Sequence, residues 1–192
     1  MSIRALPRVF VPGARSDDLI ELPQHEVDKL RKVLRLGAGA QIAILPNDGS
    51  VIRCEFTGRD AKPIEIEWPS VEPEVRLIIA QALPKGDKLD EIVRACTEIG
   101  VSHFILFQSE RSIVQWDAKK VQDKSKRLLT IAMEAAEVSF RTKLPTIEYL
   151  PTLKIVLEAH PDAVVLSEAE GEGKTLPRRD QMTVVVGPEG GW

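Results

Sequence analysis

Arg76-Leu77-Ile78-Ile79-Ala80-Gln81-Ala82 is an almost uninterrupted apolar run. It lacks the apolar–polar alternation of a strand with one face in water, so it reads as a strand buried on both faces. After it, Asp87–Ile99 carries apolar residues at helical spacing, with Leu89, Ile92, Val93 and Cys96 inward and Gly100 as the C-terminal stop. His103-Phe104-Ile105-Leu106-Phe107 is the next buried strand. Farther out, the pattern predicts a long helix over Ala118–Phe140, a shorter one over Thr152–Ala159, and buried strands at Ala163–Leu166 and Thr183–Val186. Alternating strand and helix predicts an α/β class with a parallel sheet covered on both faces and ligands at the carboxyl ends of its strands.

On the other side of Pro69-Ser70-Val71-Glu72-Pro73 the pattern changes. In Val51–Phe56, Ile52, Cys54 and Phe56 alternate with Arg53 and Glu55, and Ile64-Glu65-Ile66-Glu67-Trp68 repeats the period of two. Together with Arg8–Val11, Gln41–Leu45 and the hairpin signal Asn47-Asp48-Gly49-Ser50, these half-buried strands predict a small β-barrel or sandwich. One helix interrupts them. It follows Pro23 and spans Gln24–Leu36, with Val27, Leu30, Val33 and Leu34 as its apolar stripe and Lys29, Arg31, Lys32 and Arg35 as a basic face. The boundary falls in the proline-bounded break, dividing the chain into residues 1–72 and 73–192.

With 192 residues and 43% hydrophobic content, the chain has enough apolar surface for one large or two small domains. Its 26 basic and 29 acidic residues nearly cancel, so a nucleic-acid role requires a local basic patch rather than a global field. The opening Met1-Ser2-Ile3-Arg4 lacks a signal-peptide layout and no apolar stretch reaches membrane-span length, so the expected location is the cytoplasm, with no membrane partner. Cys54 and Cys96 form no CxxC pair, and His25, His103 and His160 stand apart. The expectation is no metal site, with buried thiols and histidines that do not act as bases.

Two segments at strand ends carry candidate ligand chemistry: Leu166-Ser167-Glu168-Ala169-Glu170-Gly171 and Gly187-Pro188-Glu189-Gly190-Gly191. In the second, glycines and a proline let backbone approach a ligand closely, although a tight structural turn would use the same residues. Gly171-Glu172-Gly173-Lys174-Thr175 superficially suggests a phosphate loop, but the required earlier glycine is replaced by Glu168. Residue 189 is Glu, so Gly187–Gly191 does not match the dinucleotide fingerprint either.

Several segments, in order, resemble the RsmE-type methyltransferases of bacterial 16S ribosomal RNA, which methylate N3 of a uridine. They are Pro7-Arg8-Val9-Phe10-Val11-Pro12, Lys32-Val33-Leu34-Arg35-Leu36 leading into Gly37-Ala38-Gly39, and Gln81-Ala82-Leu83-Pro84-Lys85-Gly86-Asp87-Lys88. Helix Lys88–Gly100, Ser109-Glu110-Arg111-Ser112, Glu134-Ala135-Ala136-Glu137 with Arg141 and Pro145, and Val186–Gly191 extend the likeness over the chain. The resemblance implies an N-terminal PUA-like β-barrel that binds RNA, over 1–72, and a C-terminal SPOUT α/β domain over 73–192, tied in a trefoil knot around S-adenosylmethionine. The chain departs from the family at Asp28 and Lys29, where a histidine pair is common, and at Val138-Ser139-Phe140-Arg141, where Gln then Ser-Gly-Arg is common. The family also continues beyond the Gly-Pro-Glu-Gly-Gly loop, so the knot is expected to be incomplete in these 192 residues and their activity alone is doubtful.

By that resemblance, Leu166, Ser167, Glu168, Gly187, Pro188, Glu189, Gly190 and Gly191 would hold S-adenosylmethionine. Arg111 and Arg141 would lie near the RNA, with Arg8, Arg31, Lys32, Arg35, Lys85 and Lys88 extending a phosphate track. Surface ion pairs or a solvated helix face would account for the same cations. The implied partner is 16S rRNA in the small ribosomal subunit, the implied assembly a homodimer, and the general base unassigned. The alternatives are a non-catalytic RNA-binding remnant, or a SPOUT enzyme with another RNA target.

Overall fold

The computed structural model describes residues 2–110, 112, 114–167, 176, 179–189 and 191. The chain forms two compact units: Met1–Glu72 with Ala136–Lys143, and Pro73–Ala135 with Leu144–Trp192.

In the first unit, β1 (Arg8–Phe10), β2 (Ile20–Glu21), β3 (Gln41–Leu45), β4 (Val51–Phe56) and β5 (Asp60–Glu67) pair in the order β1-β3-β4-β5-β2. β1 runs parallel to β3, and the other pairs are antiparallel. Where the alternation predicts a barrel or sandwich, the described strands form one sheet with β1 and β2 at its edges. The β3–β4 turn is dictated by its own residues. Asn47 adopts φ 72°, and the Asp48 carboxylate accepts from the backbone N–H and hydroxyl of Ser50 at 2.8 and 2.7 Å. Val9, Ile42, Ile44, Ile52, Cys54 and Phe56 pack with Val27 and Leu30, each large side chain contributing roughly 1.5–3 kcal/mol by leaving water. Burial pushes the Cys54 thiol up to about 12, so it is inert core.

Two sequence expectations fail in this unit, each for a local reason. β5 carries an extra residue, Ile64, between the Cys54–Pro63 and Arg53–Glu65 partners. Ile64 is the unpaired bulge residue and is exposed, and Ile66 and Trp68, near and beyond the end of β5, are exposed as well rather than in the core. The predicted helix Gln24–Leu36 is α-helical only over α1 (Gln24–Asp28) and then widens into a π turn, Lys29–Val33. One extra residue in a turn rotates the succeeding side chains by about 100°, so Val33 and Leu34 are 72% and 44% exposed although Leu30 is fully buried.

Ala136–Lys143 joins the first unit through two carboxylates, buried Glu137 and half-buried Glu72, that a contiguous division at residue 72 does not anticipate. Glu137 accepts from Lys29 Nζ at 2.6 Å and from the Phe10 N–H at 3.4 Å. Burial pushes the Glu137 carboxyl up, and Lys29 only partly offsets this. Glu72 takes Arg141 Nη2 at 2.8 Å and the backbone N–H groups of Thr142 and Lys143 at 2.7 and 3.0 Å.

In the second unit, β6 (Arg76–Ala82), β7 (His103–Gln108), β8 (Thr146–Thr152), β9 (Val164–Val165) and β10 (Gln181–Val186) form a wholly parallel sheet in the order β8-β7-β6-β10-β9. Alternate residues of each strand serve opposite faces. Ile79, Phe104 and Leu106 pack with Leu89 and Val93 of α2 (Lys88–Glu98) and with Leu128, Ile131 and Ala132 of α3 (Ala118–Val138). Ile78, Ala80, Ile105 and Phe107 pack on the other face with Val156 of α4 (Leu153–Ala159). This is why these strands read as continuous apolar runs. The long helix stops at Val138, short of the predicted Phe140, because Phe140 takes φ 66°. Together the units make a mixed α/β fold, and no described helix is long and apolar enough to cross a membrane.

Candidate functional site

The strand order locates a site before any side chain is considered. From β6 the chain steps outward through β7 to β8, then returns to the opposite edge, where β10 inserts between β6 and β9. β6 and β10 therefore flank the topological switch point, whose carboxyl end is where open α/β sheets receive ligands. Val186 is register partner of Gln81, so the loops beginning at Leu83 and Gly187 leave the sheet side by side.

Three contacts organise these loops. The buried Gln81 carboxamide donates to the carbonyl of Ala82 at 2.9 Å and to that of Gly187 at 3.4 Å. The Glu189 carboxylate accepts from the Lys85 backbone N–H at 3.3 Å and pairs with Lys88 Nζ at 2.9 Å. Gly191, at φ 73°, donates its N–H to the Pro188 carbonyl at 3.0 Å, a tight turn that a side chain at 191 would strain. On the neighbouring strand the Leu166 N–H bonds the Val185 carbonyl at 3.0 Å, and the exposed Leu166 and Ser167 begin the loop after β9. Five expected cofactor residues, Gly187, Pro188, Glu189, Leu166 and Ser167, thus share the carboxyl edge of adjacent strands with Gly191, while Glu168 and Gly190 lie outside the described residues.

Lys88 and the local backbone hold the Glu189 carboxyl below the usual carboxylate range, which makes it a tether and a poor proton acceptor. A depressed carboxyl contributes its contact above the ordinary carboxylate pKa and loses it as pH falls through the depressed value. Glu189→Ala is accordingly expected to speed hydrogen exchange of the Lys85 amide at neutral pH. Glu189→Gln, which keeps an acceptor, should speed it less, and on acidification of the parent the protection of this amide relative to its intrinsic exchange rate should fall to that of the alanine variant. Equal exchange in all three would remove Glu189 from the tether.

The expected RNA-binding cations do not form one set. Lys85 and Lys88 are exposed beside the switch-point loops, and Arg111 lies outside the described residues. In the first unit Arg31, Lys32 and Arg35 are exposed, with Lys32 paired to Asp28 at 3.1 Å. Arg8 is half-buried, donating to the Glu137 carbonyl at 2.6 Å with its guanidinium 3.8 Å from the Phe140 ring centre. Arg141 is 4% exposed and held by Glu72, so its guanidinium secures the fold instead of facing a ligand. The departures Lys29 and Phe140 are accounted for here: Lys29 neutralises buried Glu137, and Phe140 supports Arg8.

Sequence reasoning missed Gln81, whose polar side chain inside an apolar strand was the available signal, and it missed Glu72 and Glu137. His103 sits at 2.6 Å from Thr146 Oγ1 and His160 at 3.2 Å from Thr183 Oγ1, contacts of ordinary structural histidines. A cleft of about 1050 Å³ opens at the carboxyl ends of β7 and β8, between Ser109, Thr152 and Leu157. Volume alone assigns it no ligand.

Residues 71–192 match the family model of the RNA methyltransferase domain. The chain is 34% identical over 185 residues to the ribosomal RNA small subunit methyltransferase E of Bacillus subtilis, with 87% of this chain and 72% of that protein covered. The Synechocystis protein of the same name is 30% identical over 205 residues, covering 99% of this chain and 66% of its own length. The chain thus spans about two thirds to three quarters of these relatives. A crystal structure of the Neisseria gonorrhoeae ribosomal RNA small subunit methyltransferase E bound to S-adenosyl methionine superposes with a TM-score of 0.87 at 23% identity, covering 97% of this chain and 81% of that one, which shows the shared fold. With a domain model spanning its switch-point sheet and relatives at this identity, the chain belongs to the ribosomal RNA small subunit methyltransferase E family.

Proposed function

We propose that this protein transfers a methyl group from S-adenosylmethionine to N3 of a uridine in 16S ribosomal RNA of the small subunit, acting in the cytoplasm as a homodimer. The observation that carries this reading is the pair of adjacent loops at the β6–β10 switch point, closed by Glu189 on Lys85 and Lys88. In this reading residues 73–192 are a SPOUT domain with a trefoil knot, and residues 1–72 are a PUA-like RNA-binding domain.

The loop after β10 fits such a cofactor because its backbone approaches without side chains at Gly187 and Gly191, and its carboxylate is already neutralised by Lys88. Leu166, Ser167, Glu168 and Gly187–Gly191 would hold it, with Gln81 keeping the Gly187 carbonyl in place. When bound, S-adenosylmethionine supplies a methyl group already activated on a sulfonium. The protein's share is then to orient the acceptor nitrogen, keep water out and accept the N3 proton. Lys85 and Lys88, exposed at the same edge, would approach RNA phosphate.

Calorimetric titration of S-adenosylmethionine, followed by mass analysis of nucleosides from small subunits lacking the modification, tests the proposal. Saturable binding with 3-methyluridine formed in 16S rRNA is the expected result, with Gly191→Val binding at least tenfold more weakly. Binding without that product in the chain or in a form extended to its relatives' length would overturn the uridine assignment, and absence of binding by both would overturn the cofactor assignment.

A further inference from the structure

The π turn after α1 presents an arrangement that the cofactor site does not use. Its two ends are fastened: Leu30 is fully buried, Leu36 packs on the same core, and the Leu36 N–H bonds the Leu30 carbonyl at 2.9 Å. Between these anchors the chain pushes Val33 and Leu34 into solvent, 72% and 44% exposed. Arg35 then takes φ 55°, a left-handed conformation that costs a non-glycine residue roughly 1–2 kcal/mol. A widened turn and a left-handed residue held in a fastened segment are features that concentrate at functional sites.

Charge identifies the occupant. Arg31 and Arg35 are exposed and make no hydrogen bond or ion pair among the described residues; Asp28 pairs with Lys32 at 3.1 Å and is also in the field of Arg31. Two apolar side chains projecting from a fastened turn between exposed guanidiniums suit a ligand with apolar faces stacked inside an anionic frame, which is the chemistry of nucleic acid.

We propose that Arg31–Arg35 is an RNA wedge, with Val33 and Leu34 packing against or between unstacked bases and Arg31 and Arg35 holding the flanking phosphates. The proposal rests on the RNA-methyltransferase reading and goes beyond it by assigning the apolar residues, not only the cations, to RNA.

Salt dependence separates the two contributions, because phosphate contacts release counterions and apolar contacts do not. The test is binding of the full chain to transcribed 16S rRNA across salt concentrations, alongside vesicles of phosphatidylcholine and phosphatidylserine at 4:1. Val33→Ser combined with Leu34→Ser should weaken RNA binding about tenfold at every salt concentration with an unchanged log–log slope. Arg31→Gln combined with Arg35→Gln should flatten that slope by about 1–2. All four side chains are exposed, so thermal melting should stay at the parent's value. Parent-like RNA affinity in the serine variant would overturn the wedge and leave the RNA reading intact. Vesicle binding abolished by the serine substitutions while RNA affinity holds would instead make the turn a membrane contact. No RNA binding by the parent would overturn both.

Discussion

Replacing Glu72 with alanine is expected to lower the unfolding free energy of the first unit by about 3 kcal/mol, read from urea titration. The carboxylate takes the Arg141 guanidinium at 2.8 and 3.1 Å, the N–H groups of Thr142 and Lys143, and the Thr142 hydroxyl at 3.2 Å. Arg141 is 4% exposed, so removing Glu72 leaves a buried cation without its carboxylate, a change that typically costs about 3–5 kcal/mol. Glu72→Gln retains an acceptor oxygen and should lose less. Burial pushes the Glu72 carboxyl up, but Arg141 and the Thr142 and Lys143 amides outweigh it and hold the group below the usual carboxylate range. A lowered folded pKa means the unfolded chain binds the proton more readily. Glu72 therefore contributes its stability above the unfolded carboxylate pKa of about 4.3 and loses it as pH falls through the lower folded value. The acid limb of the parent's stability profile should be shallower in Glu72→Gln, and an unchanged limb would assign the effect to hydrogen-bond geometry rather than charge.

Gly100→Ala is expected to cost the second unit a similar amount, about 3 kcal/mol, through two separable terms. Gly100 ends α2 at φ 104°, where a side chain costs roughly 1–2 kcal/mol, and an added Cβ would stand 2.2 Å from Pro73 Cγ, an overlap that costs about 1–3 kcal/mol to relieve. The sequence marks Gly100 as a helix stop; only the fold places Pro73 over it. Pro73→Ala removes the Cγ, so in a double-mutant cycle it should recover the overlap term and leave the backbone term. Strict additivity of the two substitutions would show that the overlap relaxes freely and that φ alone accounts for the loss.

Much of the second unit was legible because its elements are uniform. Strands covered on both faces write themselves as continuous apolar runs, and Arg76–Ala82 and His103–Phe107 appear in the sheet almost as read. The hairpin at Asn47–Ser50 was equally plain, since the Asp48 carboxylate makes its turn locally. The first unit was less legible wherever one residue altered the period. Val33 and Leu34 sit at helical spacing from Leu30, and nothing in the spacing announces a π turn. Ile64, Ile66 and Trp68 keep a perfect alternation, yet all three lie exposed. For the site, the glycine loop was visible from composition, but Arg141 could not be told from a ligand-facing cation, because its partner Glu72 is far away in sequence.

By itself the sequence determined the α/β class, the two patterns meeting at Pro69–Pro73, the helices of the second unit and its strands other than β8, and the glycine loop at a strand end. These features obey short-range rules, since side-chain period, turn residues and helix stops act within a few positions. Tertiary structure alone decided the strand order that makes β6–β10 a switch point, the tether from Glu189 to Lys85 and Lys88, the passage of Ala136–Lys143 into the first unit, and which cations face solvent. Each of these depends on residues distant along the chain; for Arg141 and Gln81 the selecting cost is that of leaving a buried guanidinium or amide without its partner, whereas the Glu189 tether is an exposed contact fixed by the strand order that brings its loops together.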